Sequence, residues 1–286
     1  MLTIFTPTYN RGYILSKAYE ALCRQTNKDF CWLIIDDGST DDTQQLVTAW
    51  IQEAKILIKY YQQSNGGKMR AHNKGVSLCQ TELFVCVDSD DHLVDTAVED
   101  ILDLWDSLDG REQLAGIVAY RGKDSSHTMF GEKFSCTGCA TMQELYEKGF
   151  YGETTVIYRT EVLVQYPFPV FDGEKFIPMA VSYDRIDEQY PLYIFPKVLT
   201  ISEYRDDGIS RSVDRLRENN PKGWLLYYQQ RIRNSHMSVL RYKYIAHGIC
   251  FCWRLKQNPF KQLPALWVEI ALAFGGAAAL RIIGKL

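Results

Sequence analysis

Three carboxylates crowd one short segment, Asp88-Ser89-Asp90-Asp91, directly after the apolar run Leu83-Phe84-Val85-Cys86-Val87. Carboxylates this close repel one another unless something offsets their charge. Hard oxygen ligands at this density suit Mg²⁺ or Mn²⁺, which can bridge the phosphates of a nucleotide and neutralise charge as a leaving group departs. For an isolated Asp-x-Asp the plainer alternative is a solvated acidic turn, with Asp91 or Asp95 capping the helix that follows. A second pair, Asp36-Asp37, leads into Gly38-Ser39 after the run Cys31-Trp32-Leu33-Ile34-Ile35. Those carboxylates can accept hydrogen bonds from a base N–H or from ribose hydroxyls. The same residues also read as a turn followed by a helix N-cap at Ser39 or Thr40, with Asp41 and Asp42 in the first turn.

Other chemistries are poorly supplied. The first apolar run is followed by Thr6-Pro7-Thr8-Tyr9-Asn10, without a dinucleotide glycine fingerprint, and no Gly-x-x-x-x-Gly-Lys-Ser/Thr occurs. Phosphate would therefore be handled by metal and side chains. Cys136-x-x-Cys139 is half a zinc site with no second pair at suitable spacing, and the five histidines show no ligand spacing.

These groups need elements to hold them. Short β-branched and aromatic runs at 2–5, 31–35, 56–61, 83–87 and 114–120 read as buried strands. Helical periods lie between them: Ile14, Ala18 and Leu22 share one face, and Leu46, Val47, Trp50, Ile51 and Ala54 another, with further helices at 69–79 and 96–108. Such alternation predicts an α/β fold with a largely parallel sheet, and ligands beyond the carboxyl ends of its strands. Thr6–Arg11, Asp36–Asp41, Ser64–Lys68 and Asp88–Asp91 should then converge on one crevice. Past residue 120 the pattern weakens, with strand-like pieces at 154–158 and 192–195. An aromatic and basic helical stretch follows at 224–255, whose Trp224, Tyr227, Tyr228, Tyr242, Tyr244 and Phe251 read as core.

A chain of 286 residues with 46% hydrophobic and 23% charged residues can bury a substantial core, which excludes wholesale disorder. Net charge −3 recommends no nucleic acid as partner. Scattered cysteines and an N-terminus without a signal-like segment point to a reducing, cytoplasmic setting. The apolar tract at 263–283 is interrupted by Pro264, Glu269, Gly275-Gly276 and Arg281, so it reads poorly as a transmembrane helix. A segment lying on the inner face of the cell membrane through 263–286, or an ordinary docked helix, both remain open.

Thr6-Pro7-Thr8-Tyr9-Asn10-Arg11, Ile35-Asp36-Asp37-Gly38-Ser39-Thr40-Asp41, Asn65-Gly66-Gly67-Lys68 with Ala71 and Asn73 beyond it, and Val87-Asp88-Ser89-Asp90-Asp91 resemble, in order and spacing, the family 2 glycosyltransferases of the GT-A fold. The ordered set is far more specific than any member of it and covers about the first 110 residues. The segments at 168–176 and 203–210 resemble a bacterial branch associated with surface polysaccharides such as capsule or exopolysaccharide. The resemblance implies a GT-A domain over 1–215, with a nucleotide-sugar half at 1–110 and an acceptor half at 111–215. A helical region at 216–286 follows. It also implies an inverting hexosyl transfer from a nucleotide sugar, commonly UDP-linked, to a hydroxyl of a glycan or lipid-linked glycan, assisted by Mn²⁺ or Mg²⁺.

Residue by residue, Thr6, Pro7, Tyr9 and Arg11 would line the nucleoside pocket, and Asp37 or Asp36 would read uracil. Asn65, Gly66, Lys68 and Asn73 match the segment near ribose and diphosphate. Asp88 and Asp90 match the metal-binding pair, with Ser89 and Asp91 on the donor side. An inverting transfer needs a base for the acceptor hydroxyl; Glu174 of Gly173-Glu174-Lys175-Phe176 is the first candidate, and Asp172 and Asp184 compete because Met179 stands where related sequences often carry an acid. Arg211 or Arg205, beside Asp207-Gly208, would reach the diphosphate. A non-catalytic GT-A-like assembly module is the competing reading, and a nucleotidyltransferase a third.

Overall fold

The computed structural model describes residues 1–203 and 213–282. The chain forms two compact units, Met1–Pro167 with Tyr183–Tyr204, and Phe168–Ser182 with Arg205–Leu286.

In the first unit β1 (Leu2–Thr8), β2 (Phe30–Asp36), β3 (Ile58–Gln62) and β4 (Leu83–Cys86) lie parallel in the order β3-β2-β1-β4. All seven residues of β2 are buried, as a strand covered on both faces requires. The crossovers are α1 (Gly12–Arg24), α2 (Thr43–Glu53) and α3 (Lys68–Leu78). Tyr19 of α1 stacks on Trp50 of α2 at 4.4 Å, and both stack on Trp32 of β2. The Trp32 indole donates to Thr6 Oγ1 at 3.0 Å, so the polar edge of this aromatic stack is satisfied inside the sheet.

The sheet continues with a mixed half. β8 (Thr154–Arg159) pairs antiparallel with β4 and with β6 (Gly116–Gly122), and β6 pairs parallel with β9 (Leu192–Ile201). The short β5 (His92–Leu93) and β7 (Cys139–Ala140) flank β9, and α4 (Ala97–Ser107), α5 (Met142–Glu147) and α6 (Thr160–Gln165) cover this part. While β6 advances from Ala119 to Arg121, β9 advances from Phe195 to Thr200. The bulge contains Pro196, which cannot donate to a ladder, and it re-aims Arg121 at its far end.

The chain passes from one unit to the other along α7 (Ala180–Asp187). In the second unit α8 (Val213–Asn219), α9 (Pro221–Arg233), α10 (Val239–Arg254), α11 (Pro259–Gln262) and α12 (Trp267–Ile282) enclose a separate core. Tyr228, Ile232, Ile249, Phe251 and Ile270 form its centre, with Trp224, Tyr227, Tyr242 and Tyr244 packed around them.

Two local expectations are corrected. Neither Ser39 nor Thr40 caps α2, whose N-cap is Asp42; instead Ser39 Oγ accepts from Asn10 N–H, and Thr40 N–H donates to Asn10 Oδ1. Ile51 is 42% exposed because the buried stripe of α2 narrows to Val47 and Trp50.

Gly116 opens β6 at φ +151°, where a Cβ would lie 1.9 Å from the Ile157 carbonyl oxygen. Gly116→Ala is expected to cost about 3 kcal/mol or more, since both the backbone and the β6–β8 pairing must yield. Urea unfolding of the two proteins measures the difference.

Candidate functional site

The loops that follow β1, β2, β3 and β4 are tied into one polar surface at the carboxyl edge of the parallel strands. Asp37 N–H donates to Thr8 O, extending the β1–β2 ladder by one bond. The Asp37 carboxylate then accepts from Gly66 N–H at 2.9 Å, Gly67 N–H at 2.7 Å and Gln63 Nε2 at 2.7 Å, and Asn65 Nδ2 donates to the Asp37 carbonyl. Gly67 holds φ +93° to present its N–H there. Asp36, wholly buried, accepts from Ser39 N–H and from the Tyr60 hydroxyl, the two bonds falling on different oxygens. Asp41 accepts from Gly12 N–H and from Thr43. Both members of the Asp36-Asp37 pair are therefore wired into the loops that build the crevice floor. Of the roughly four acceptor positions of a carboxylate, Asp37 fills three within the protein.

Beyond β4 the turn closes through Asp91 N–H to Asp88 O. Lys68 at the start of α3 reaches back to Asp88 at 2.6 Å, with only 18% and 30% of the two side chains exposed. Arg121 of β6 lies 3.1 Å from Asp91, whose side chain is 6% exposed. β9 explains that meeting: Ile201 stands opposite His92 of β5 and Gly122 of β6, so Asp91 and Arg121 end on either side of one strand. Burial works against charge on Asp88, but Lys68 and Arg121 outweigh it and hold its carboxyl below the usual range. Asp91 goes the other way, pushed up to about 6 by burial, with Asp88 adding to the rise and Arg121 opposing it. Two neighbouring carboxyls thus have pKa values driven apart. Asp90, between them, is half-buried. His72 of α3 sits edge-on to Phe5 and Phe84, and burial pushes it down to about 3, which keeps its imidazole neutral.

The remaining candidates fall in different places. Tyr9 is 48% exposed at the crevice lip, Pro7 and Asn73 are half-buried, and Arg11 lies over the Tyr13 ring. Arg211 and Arg205 lie outside the described residues. Glu174 is buried in the second unit, where it accepts from Lys222 N–H at 2.7 Å and Gly223 N–H at 2.9 Å and so caps α9. Asp172 is exposed in that unit, whereas Asp184 is half-buried on α7 in the unit of the donor loops. Among the described residues no group of three or more His, Cys, Asp or Glu is arranged to hold a metal ion. Arg121, Tyr60 and Gln63 belong to the site and to none of the motifs. The sequence signal for Arg121 is a lone charge closing the apolar run of β6.

With this geometry in hand, comparison with known proteins is specific. The family described as glycosyl transferase family 2 matches residues 3–165. The glycosyltransferase GlyG of Streptococcus pneumoniae is 25% identical over 150 residues, 52% of this chain and 50% of that protein. The chain thus spans about half the length of that curated relative. A crystal structure of Staphylococcus aureus TarS 1-349 in complex with UDP-GlcNAc superposes with TM-score 0.58 at 19% identity, covering 96% of this chain and 80% of that one. The mannosyltransferase PcManGT of Pyrobaculum calidifontis, in complex with GDP-Man and Mn²⁺, gives TM-score 0.57 at 15% identity, covering 98% and 80%. The first unit has the GT-A architecture of these enzymes, and with more than half its length matched the chain belongs to glycosyl transferase family 2.

Proposed function

We propose that this protein transfers a sugar from a nucleotide-sugar donor, UDP-linked as in the TarS complex, to a hydroxyl of a bacterial surface glycan, with inversion at the anomeric carbon. One observation carries the reading: the four loops beyond β1 to β4 meet at one edge, and a strand-end carboxylate turn there is already partly neutralised by Lys68 and Arg121. An unneutralised turn would repel a diphosphate; this one accepts a divalent cation and two phosphates at tolerable charge. Asp90 would hold Mn²⁺ or Mg²⁺, Asp88 being engaged by Lys68, and the ion would draw its other ligands from diphosphate oxygens and water. When bound it would offset the charge that develops on the leaving diphosphate. Asp37 has one acceptor position left for the base, while Asn65, Gly66 and Asn73 border the ribose and Tyr9 and Arg11 the outer face of the nucleoside. Arg211 and Arg205 would supply further diphosphate contacts.

Asp90→Ala is expected to lower metal-dependent turnover about 100-fold or more, and to remove the rise in melting temperature that a UDP-sugar gives in the presence of Mn²⁺. Slow UDP release measured with and without chelator checks the first effect, and thermal shift the second. Unchanged values for both would leave a binding module in place of an enzyme.

The acceptor proton needs a carboxylate, and amide substitutions separate the candidates Glu174, Asp184 and Asp172. Replacing the base is expected to lower kcat by about 10² to 10⁴ with the fold intact. Glu174→Gln should also lower the melting temperature through loss of a charged cap, a cost of about 1 kcal/mol, whatever it does to kcat.

The raised pKa of Asp91 has a signed consequence. Between the unfolded value near 4 and the folded value of about 6, the folded state binds more protons, so stability falls as pH rises through this window. The group's full cost at neutral pH is about 3 kcal/mol, the width of the window at 1.36 kcal/mol per unit. Denaturant unfolding across about pH 4 to 7 should show wild type losing stability relative to Asp91→Asn as pH rises; parallel curves would remove Asp91 from the titrating site.

A further inference from the structure

The C-terminal stretch of the helical unit carries charge almost entirely of one sign. Across residues 219–286 the sequence has ten Lys or Arg and a single acidic side chain, Glu269. That carboxylate is withdrawn from the surface: it is 2% exposed and accepts from Arg241 Nε at 2.7 Å, Arg241 Nη2 at 3.2 Å and Leu266 N–H at 2.7 Å. The same guanidinium donates to the Ser235 carbonyl, so one buried pair fastens the start of α10 to the start of α12. Around this fastening the surface is apolar. Trp267 is 74% exposed, Leu272 67%, Val239 75% and Met237 67%. The solvent face of α12 continues through Ala271, Gly275, Ala278 and Ala279 without a polar side chain, while Ile270, Ala273 and Ala277 pack inward.

A helix docked on a soluble domain normally turns charge outward. α12 has apolar residues on both faces, and the rim of its exposed face is basic: Lys261 follows the half-exposed Phe260, which stacks on Phe274 of α12, and Lys243 lies one turn beyond Val239 on α10. The sixteen described residues of this helix rise about 24 Å against a hydrocarbon core of about 30 Å, and among the described residues no helix is long and apolar enough to cross a membrane. An apolar strip led by Trp and flanked by lysines is the pattern that lies in a lipid interface, with the indole at headgroup depth and the cations on anionic headgroups. A protein partner would require acidic complementarity across the rim and gives no reason for the clearance of every other carboxylate from 68 residues of sequence. We propose that the exposed face of α12, with the adjoining start of α10, docks the protein on the surface of an anionic phospholipid bilayer. This inference stands independently of the transferase reading.

Flotation of the full chain with vesicles tests it, using phosphatidylcholine alone and phosphatidylcholine mixed with phosphatidylglycerol. The wild type is expected to float with the mixed vesicles at low salt, to remain behind with the neutral ones, and to detach as salt rises. Lys243→Gln/Lys261→Gln should weaken partitioning about 30-fold, roughly five-fold per cation removed. Trp267→Glu/Leu272→Glu should abolish it, and because both side chains are exposed the unfolding temperature should stay unchanged, which keeps the variant informative. Failure of the wild type to float overturns the proposal, as does unchanged flotation of the Trp267→Glu/Leu272→Glu protein. A dimer in light scattering that the same variant dissociates, without any flotation, would overturn it in favour of a second copy on this face.

Discussion

Everything in the first unit turns on keeping carboxylates at the ends of buried strands. Asp36, Asp37, Asp88 and Asp91 stand where parallel strands run out, and three of them are less than a tenth exposed. An ionised carboxylate removed from water is costly unless hydrogen-bonded or paired. The fold meets that requirement by two routes. The first pair is satisfied by neutral donors, chiefly the Gly66-Gly67 backbone and the Tyr60 hydroxyl, which leaves its negative charge in place. The second is met by cations, Lys68 and Arg121, which cancel it. The crevice is thus negative on the β2 side, where a base N–H or ribose hydroxyl would donate, and close to neutral on the β4 side, where phosphates would arrive.

This division explains why the far half of the sheet matters to a site built from the near half. Arg121 reaches Asp91 because β9 runs between β5 and β6 and because its bulge shifts the end of β6. Without Arg121, Asp88 would face Asp91 with Lys68 alone as compensation. Lys68 in turn opens α3, so its ammonium sits at the positive end of a helix, a placement tolerated because Asp88 is 2.6 Å away. Each group is in an unfavourable position that its partner makes favourable, so α3, the β4 turn and β6 are mutually dependent.

Much of this was legible in the sequence. The buried runs at 31–35 and 83–87 became β2 and β4 because continuous apolarity is what a strand covered on both faces needs, and the acidic turns fell at their carboxyl ends as the α/β rule requires. What escaped was every contact between distant residues. Arg121 pairs with Asp91 across thirty positions and carries no motif. Ser39 and Thr40 had the composition of an N-cap, yet bond to Asn10, because the loop after β1 approaches them only once the sheet forms. Glu174 reads in the sequence only as a candidate base; its two bonds to the start of α9 link residues almost fifty positions apart. Local pattern predicts elements, whereas the fate of a polar side chain is decided by which other element arrives beside it.

The two units handle charge in opposite ways. The donor loops gather carboxylates and satisfy them one at a time, the first pair by neutral donors and the second by cations, so each group keeps a distinct role. From residue 219 onward the helical unit instead holds a single carboxylate, Glu269, buried under Arg241, against ten Lys or Arg. Uncompensated surface charge destabilises a compact unit through self-repulsion, and exposed Trp267 and Leu272 forgo burial that a different helix rotation would have given. A net charge of −3 averages over these two arrangements and describes neither. The buried Arg241–Glu269 pair fixes that rotation: with Glu269 locked to Arg241 at the first turn of α12, Ile270, Ala273 and Ala277 face inward and Ala271, Leu272 and Gly275 face out. The exposed apolar strip is therefore a consequence of where a single carboxylate was placed.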